Sequence, residues 1–132
     1  MLKDTFFTIL FSAGAEKGCT YRIALNGLHP IFQAHFAGNP MMPGVCIVQV
    51  IKELASEYFG RTFFVYAVKN MKFLLAVNPM ETPEISVQMN FTQHDDERIS
   101  IAAMLYNEEK IYSKSTLWLE YLRDDALYQK YS

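Results

Sequence analysis

An α+β domain, with one buried helix against an antiparallel β-sheet, is the fold class that the sequence predicts. Three observations predict it. Two strand-like runs precede a single long apolar segment, Gly44 to Phe59, and four strand-like runs follow it. That order places one helix within a set of short, turn-linked strands. The ten Phe and eight Tyr in a chain of 132 residues suit strands packed on a bulky core, or an apolar ligand channel. No repeat, low-complexity tract or linker divides the chain, so residues 1–132 read as one domain.

Taken in order, Thr5–Ala13 is rich in Phe, Thr and Ile, as strands are. Gly14 to Gly18 is a turn, and Cys19–Leu25 alternates as a second strand. Asn26-Gly27 is punctuation. From Leu28 to Pro43 the prolines at 30, 40 and 43 and Gly38 predict a long irregular segment without regular helix. Such a loop is functional or disordered, and its Phe, Ile and Met content argues for function. Gly44–Phe59 then carries Val45, Val48, Ile51, Leu54 and Ala55 at helical spacing. Ile47 and Val50 are apolar too, which predicts a helix wrapped by the sheet. Gly60 stands where a helix C-cap is favoured. Strands follow at Thr62–Phe73, Glu84–Thr92, Ile99–Tyr106 and Ile111–Leu122, parted by turn signals at Asn78-Pro79, His94-Asp95-Asp96 and Asn107-Glu108-Glu109.

The whole-chain balance narrows the function. A formal net charge of −2 and the lack of a basic block argue against nucleic acid. No run reaches the ~18 apolar residues of a membrane span. Lys3, the apolar stretch from Phe6 and Ala13-Gly14-Ala15 superficially imitate a secretory signal. Asp4, Thr5, Thr8 and Ser12 break that pattern. Cys19 and Cys46 form no CxxC pair and read as buried free thiols, which fits a reducing, cytoplasmic setting. Neither His29 nor His94 has ligand-like spacing to a second strong ligand, so no metal or other cofactor is expected.

The informative stretch runs from His29 to Val45. It delivers His35 from a proline-restricted loop to the start of the helix, so the ring loses little entropy on meeting a substrate. Gly44 stands at the helix N-terminus, where backbone N–H groups lack intrahelical partners and the dipole adds positive charge. A thioester carbonyl against that N–H would be polarised as enolate-like charge develops. Histidine can take or return a proton near neutral pH. These parts suit proton abstraction beside a carbonyl.

The run His35-Phe36-Ala37-Gly38-Asn39-Pro40-Met41-Met42-Pro43-Gly44-Val45 resembles the signature of the 3-hydroxyacyl-(acyl carrier protein) dehydratases, enzymes of the hot-dog fold. Lys72-Phe73 followed by Val77-Asn78-Pro79 is a softer echo of the same family. The resemblance implies an antiparallel sheet wrapped around a central helix, and a homodimer or higher even oligomer with two tunnels. It implies His35 as the catalytic histidine and Gly44 N–H as the carbonyl-polarising group. The substrate it implies is an acyl chain on phosphopantetheine, carried by acyl carrier protein or coenzyme A, in fatty-acid or specialised lipid or polyene synthesis.

One departure stands out. Where the family has an acidic residue, supplied from the partner subunit fourteen positions after the histidine, this chain has Gln49. Where the family commonly has Gln, one turn later, it has Glu53. Residues four apart share a helix face, so a carboxyl is present but displaced by about 6 Å. Three outcomes stay open: Glu53 acts directly or through water, His35 serves as both base and acid with Gln49 orienting the hydroxyl, or elimination is lost. The last leaves acyl-thioester hydrolysis or acyl and carrier-protein binding.

Other residues carry blander expectations. His29 orders the loop, and His94 is solvated in its acidic turn. Phe63, Phe64, Tyr66, Met71, Phe73, Phe91 and Trp118 are mainly sheet core by default, with an acyl tunnel lined by some of them as the alternative. Lys69 and Lys72 are a solvated strand face or a lure for an acidic carrier. Asp124 to Ser132 is a frayed or partner-packed end.

Overall fold

The computed structural model describes residues 1–34 and 39–122. Its strands are β1 (Phe7–Ala15), β2 (Gly18–Leu25), β3 (Thr62–Phe73), β4 (Glu84–Gln93), β5 (Arg98–Asn107) and β6 (Lys110–Leu122); its helices are α1 (Pro30–Ala34) and α2 (Gly44–Phe59). All six strands join one antiparallel sheet in the order β1-β2-β4-β5-β6-β3. The α+β architecture expected from the sequence is present, and α2 keeps the expected ends. Gly60 adopts the left-handed conformation at φ 64° and its N–H donates to Ser56 O, which closes α2 as a glycine cap does.

Alternation explains which sheet face meets α2. Along β5, Ile99, Ile101, Ala103 and Leu105 are buried on one face, and Leu117 and Leu119 continue that face on β6. Ile23, Ile85, Val87 and Met89 extend it through β2 and β4. Val50, Ile51, Leu54 and Ala55 of α2 complete the same hydrophobic core. At the far end of α2, Phe59 packs edge-on against Phe63, Phe91 and Tyr121, locking the helix end to three strands.

Four expectations need correction. The Leu28–Pro43 segment is not wholly irregular: Pro30 starts a one-turn helix, where its missing N–H costs no bond. Val45 is 75% exposed although it fits the helical apolar pattern, while Cys46 and Ile47 next to it turn into the core. Tyr66 and Phe73 are exposed rather than core, since β3 is an edge strand with bulges between Val65 and Ala67 and between Lys69 and Lys72. His94 is exposed but not merely solvated: its ring stacks on Trp118 at 4.3 Å, and its Nε2 lies 2.8 Å from Ser100 Oγ.

Candidate active site

The start of α2 is built by two prolines and a glycine. Pro43 is extended at φ −64°, ψ 148° and offers no side-chain cap. Its carbonyl accepts from Cys46 N at 3.0 Å and Ile47 N at 3.1 Å. The N–H groups of Gly44 and Val45 have no backbone acceptor among the described residues. They stand at the end of a sixteen-residue helix whose dipole favours negative charge there.

A slot of about 460 Å³ opens at this point, lined by Met41, Met42, Gly44, Ile47, Phe73 and Val77 among others. Its wall is held by a long-range bond, Met42 N to Val77 O at 2.8 Å, which ties the proline loop to the segment after β3. Phe73 reaches back over the helix start, so close that a β-carbon on residue 44 would meet its Cζ at 2.6 Å. Only glycine leaves both the ring and the N–H in place. Leu74 and Leu75 beside it are half exposed, giving the slot a greasy rim. Burial raises the Cys46 thiol above its ordinary value, so this cysteine at the helix start is an inert packing group.

The short helix α1 is anchored on the N-terminal segment. Phe32 is buried and stacks on Phe6 at 4.7 Å between centroids. His29 meets the same Phe6 ring edge-on at 5.3 Å, and its Nδ1 accepts from Ile31 N at 3.1 Å. His29 thus orders the loop, as expected. His35 lies outside the described residues.

Gln49 and Glu53 sit elsewhere. Five positions after Gly44, Gln49 is turned about 140° away around the helix. Together with Glu53 it lines a separate concavity of about 350 Å³, which shares no residue with the slot. Glu53 is 6% exposed, and both its carboxylate oxygens are occupied. Leu2 N donates to Oε1 at 3.0 Å and to Oε2 at 2.8 Å, Lys3 N donates to Oε1 at 2.8 Å, and Gln49 Nε2 donates to Oε2 at 2.8 Å. One turn on, Glu57 pairs with Lys3 Nζ at 3.0 Å. Within one chain, then, the structure brings Gln49 and Glu53 together but holds both apart from Gly44.

Two contributions escaped the sequence reading. Phe73 carried a strand-core signal, and nothing local marks it as the cover of Gly44. Leu2 and Lys3 carried no signal as partners of a carboxylate 51 and 50 positions away.

Comparison with known proteins adds three findings. A family model described as ApeI-like, ApeI dehydratase, matches residues 12–114. The 3-hydroxyacyl-(acyl-carrier-protein) dehydratase FabZ of Lactiplantibacillus plantarum is 35% identical over 81 residues, 56% of this chain and 55% of that protein. The chain spans about half the length of the curated relatives it matches. Among solved structures, the dehydratase heterocomplex ApeI:P from Xenorhabdus doucetiae aligns with TM-score 0.68 and 15% identity, over 86% of this chain and 96% of that one. Likeness at that identity establishes the hot-dog fold alone.

Proposed function

Because the chain belongs to the ApeI-like dehydratase family, we propose that it eliminates water from 3-hydroxyacyl thioesters to give trans-2-enoyl thioesters. The observation that carries this reading is the apolar slot ending on the Gly44 N–H, which has no backbone acceptor among the described residues. A thioester carbonyl there would be polarised by a fixed donor and a helix dipole, with its acyl chain against Met42, Ile47 and Val77.

In this reading His35, at the head of the matching motif, removes the Cα proton as Gly44 N–H steadies the developing oxyanion. The Cα–H and Cβ–O bonds break, a C=C bond forms, and the proton and hydroxide leave as water. Gln49 lines its own concavity, away from the slot of its own chain. That supports a site assembled from two copies, with Gln49 of one facing the slot of the other. The exposed edge β3, with Tyr66 and Val68 on it, supports a paired oligomer. The carrier is acyl carrier protein or coenzyme A. Lys69 and Lys72 are exposed on that same strand and would attract acidic groups.

The test is turnover of a 3-hydroxyacyl thioester by the purified protein, followed by enoyl absorbance and, in parallel, by free thiol release. Enoyl product without thiol supports dehydration. Thiol without enoyl would place the chain with the thioester hydrolases, and neither product at any chain length would remove the enzymatic reading.

A further inference from the structure

We propose that Glu53 is a positioning residue and not the proton donor: it clasps the N-terminal segment onto α2 and turns the Gln49 carboxamide so that its oxygen faces the substrate hydroxyl. The inference rests on the dehydratase reading for the identity of that hydroxyl, but the clasp stands on geometry alone.

Glu53 accepts four N–H···O contacts from three donors, at 2.8 to 3.0 Å. A carboxyl delivering a proton needs an O–H direction free toward the acceptor. Here backbone amides of Leu2 and Lys3 and the Gln49 carboxamide fill those directions, and the group is 6% exposed. Placing a proton on either oxygen would set an O–H against an N–H already aimed at it. The carboxylate is therefore matched to the strap and not to a departing hydroxide.

The same bond sets the amide of Gln49. A carboxamide has one donor end and one acceptor end. With one Nε2–H on Glu53, Oε1 is the end turned away from that carboxylate, and it has no protein partner among the described residues. Gln49 is half-buried on the wall of the concavity it shares with Met1, Lys3 and Glu53. An amide oxygen held in this way accepts from a hydroxyl; it has nothing to donate. The helix face thus presents a fixed neutral acceptor, able to hold in register the 3-hydroxyl of a substrate bound in the slot of a second copy. The proton that makes it a leaving group is the one that His35 takes from Cα, so the hydroxide leaves as water. Lys3 Nζ on Glu57 adds a second tie for the strap, so segment and helix face form one unit.

Three measurements on the full chain decide this. Amide exchange by NMR should show Leu2 and Lys3 protected in the wild type, with protection falling at least about tenfold in Glu53→Gln. The Gln49 side-chain NH₂ signals should exchange slowly in the wild type and fast in that variant. In kinetics, Glu53→Gln should raise KM by about tenfold, with a smaller change in kcat and an unchanged pH profile. Leu2→Pro deletes a donor while leaving Glu53 intact, and should reproduce the KM effect even if Glu53→Gln does not fold. A loss of kcat of about a hundredfold or more in Glu53→Gln, with one limb of the pH profile removed and Lys3 still protected, would overturn the proposal. So would a Leu2→Pro variant with wild-type KM. A folded wild type that forms no enoyl product would defeat the dehydratase reading, while the exchange data would still decide the clasp.

Discussion

The ring of Phe73 covers the α-carbon of Gly44, leaving no room for a β-carbon between them. The two residues come from β3 and the first turn of α2, and their contact shapes the mouth of the apolar slot. Gly44→Ala should push the ring outward and displace the carbonyl from the helix-start N–H. A misplacement on the order of 1 Å costs about 10²-fold in rate, so kcat/KM for enoyl formation should fall by about that factor. Thermal unfolding should be little changed, because the exposed ring moves more easily than backbone. Adding Phe73→Ala should recover part of the loss. If Gly44→Ala is fully active, the Phe73 contact with Gly44 does not set the position of the carbonyl.

The three histidines separate cleanly by expected effect. His29 accepts from Ile31 N and packs on Phe6, and His94 stacks on Trp118. His29→Ala should lower stability by about 1 kcal/mol and leave kcat near the wild type. His94→Ala should shift the Trp118 fluorescence without touching turnover. His35→Ala should reduce enoyl formation by about 10²–10⁴-fold, the usual worth of a positioned acid–base group. Equal activity of all three variants would remove His35 from the mechanism.

Cysteine burial has a consequence at alkaline pH. Desolvation pushes the Cys19 thiol from its ordinary 9.0 up to about 11. Between those values the unfolded chain releases the proton while the folded chain keeps it. Stability from this group is therefore complete below about pH 9 and is lost as pH rises toward about 11. Tyr21, raised mainly by burial and then by Cys19, adds to the same decline. Urea unfolding should show a falling free energy over this window, with a shallower slope in Cys19→Ala. An identical slope would mean that the thiol is not desolvated in the folded chain.

Two glycines of the β1–β2 hairpin should behave oppositely. A β-carbon on Gly18 would overlap the carbonyl of Met89 on β4, so Gly18→Ala must force the two backbones apart. A cost of about 1–3 kcal/mol is expected, as for other overpacked sites. Gly14 has nothing within 4 Å of its β-position, and Gly14→Ala should be neutral or slightly stabilising. The urea midpoints of the two variants check this directly.

Much of the local structure was legible because it is written in neighbouring residues. Helical spacing and Gly60 marked α2 from Gly44 to Phe59, and β3 spans Thr62–Phe73 as its composition suggested. The other strands shifted by at most two residues at an end, where hairpin pairing extends a ladder beyond its apolar run. The short α1 was hidden because Pro30 reads as a helix breaker unless it happens to sit at a first position. His35 was singled out by its motif, and the described residues do not include it.

By itself, then, the sequence determined the order of the six strands around α2, the boundaries of α2 and the family signature leading into Gly44, all encoded within a few residues of one another. Tertiary structure alone decided that β2 lies beside β4 and β3 lies on an edge, that Phe73 covers Gly44, and that Glu53 is occupied by Leu2 and Lys3. The physical reason is distance along the chain. Hydrogen bonds and ring contacts between residues 29 to 51 positions apart depend on how the sheet closes, and no local pattern carries that information.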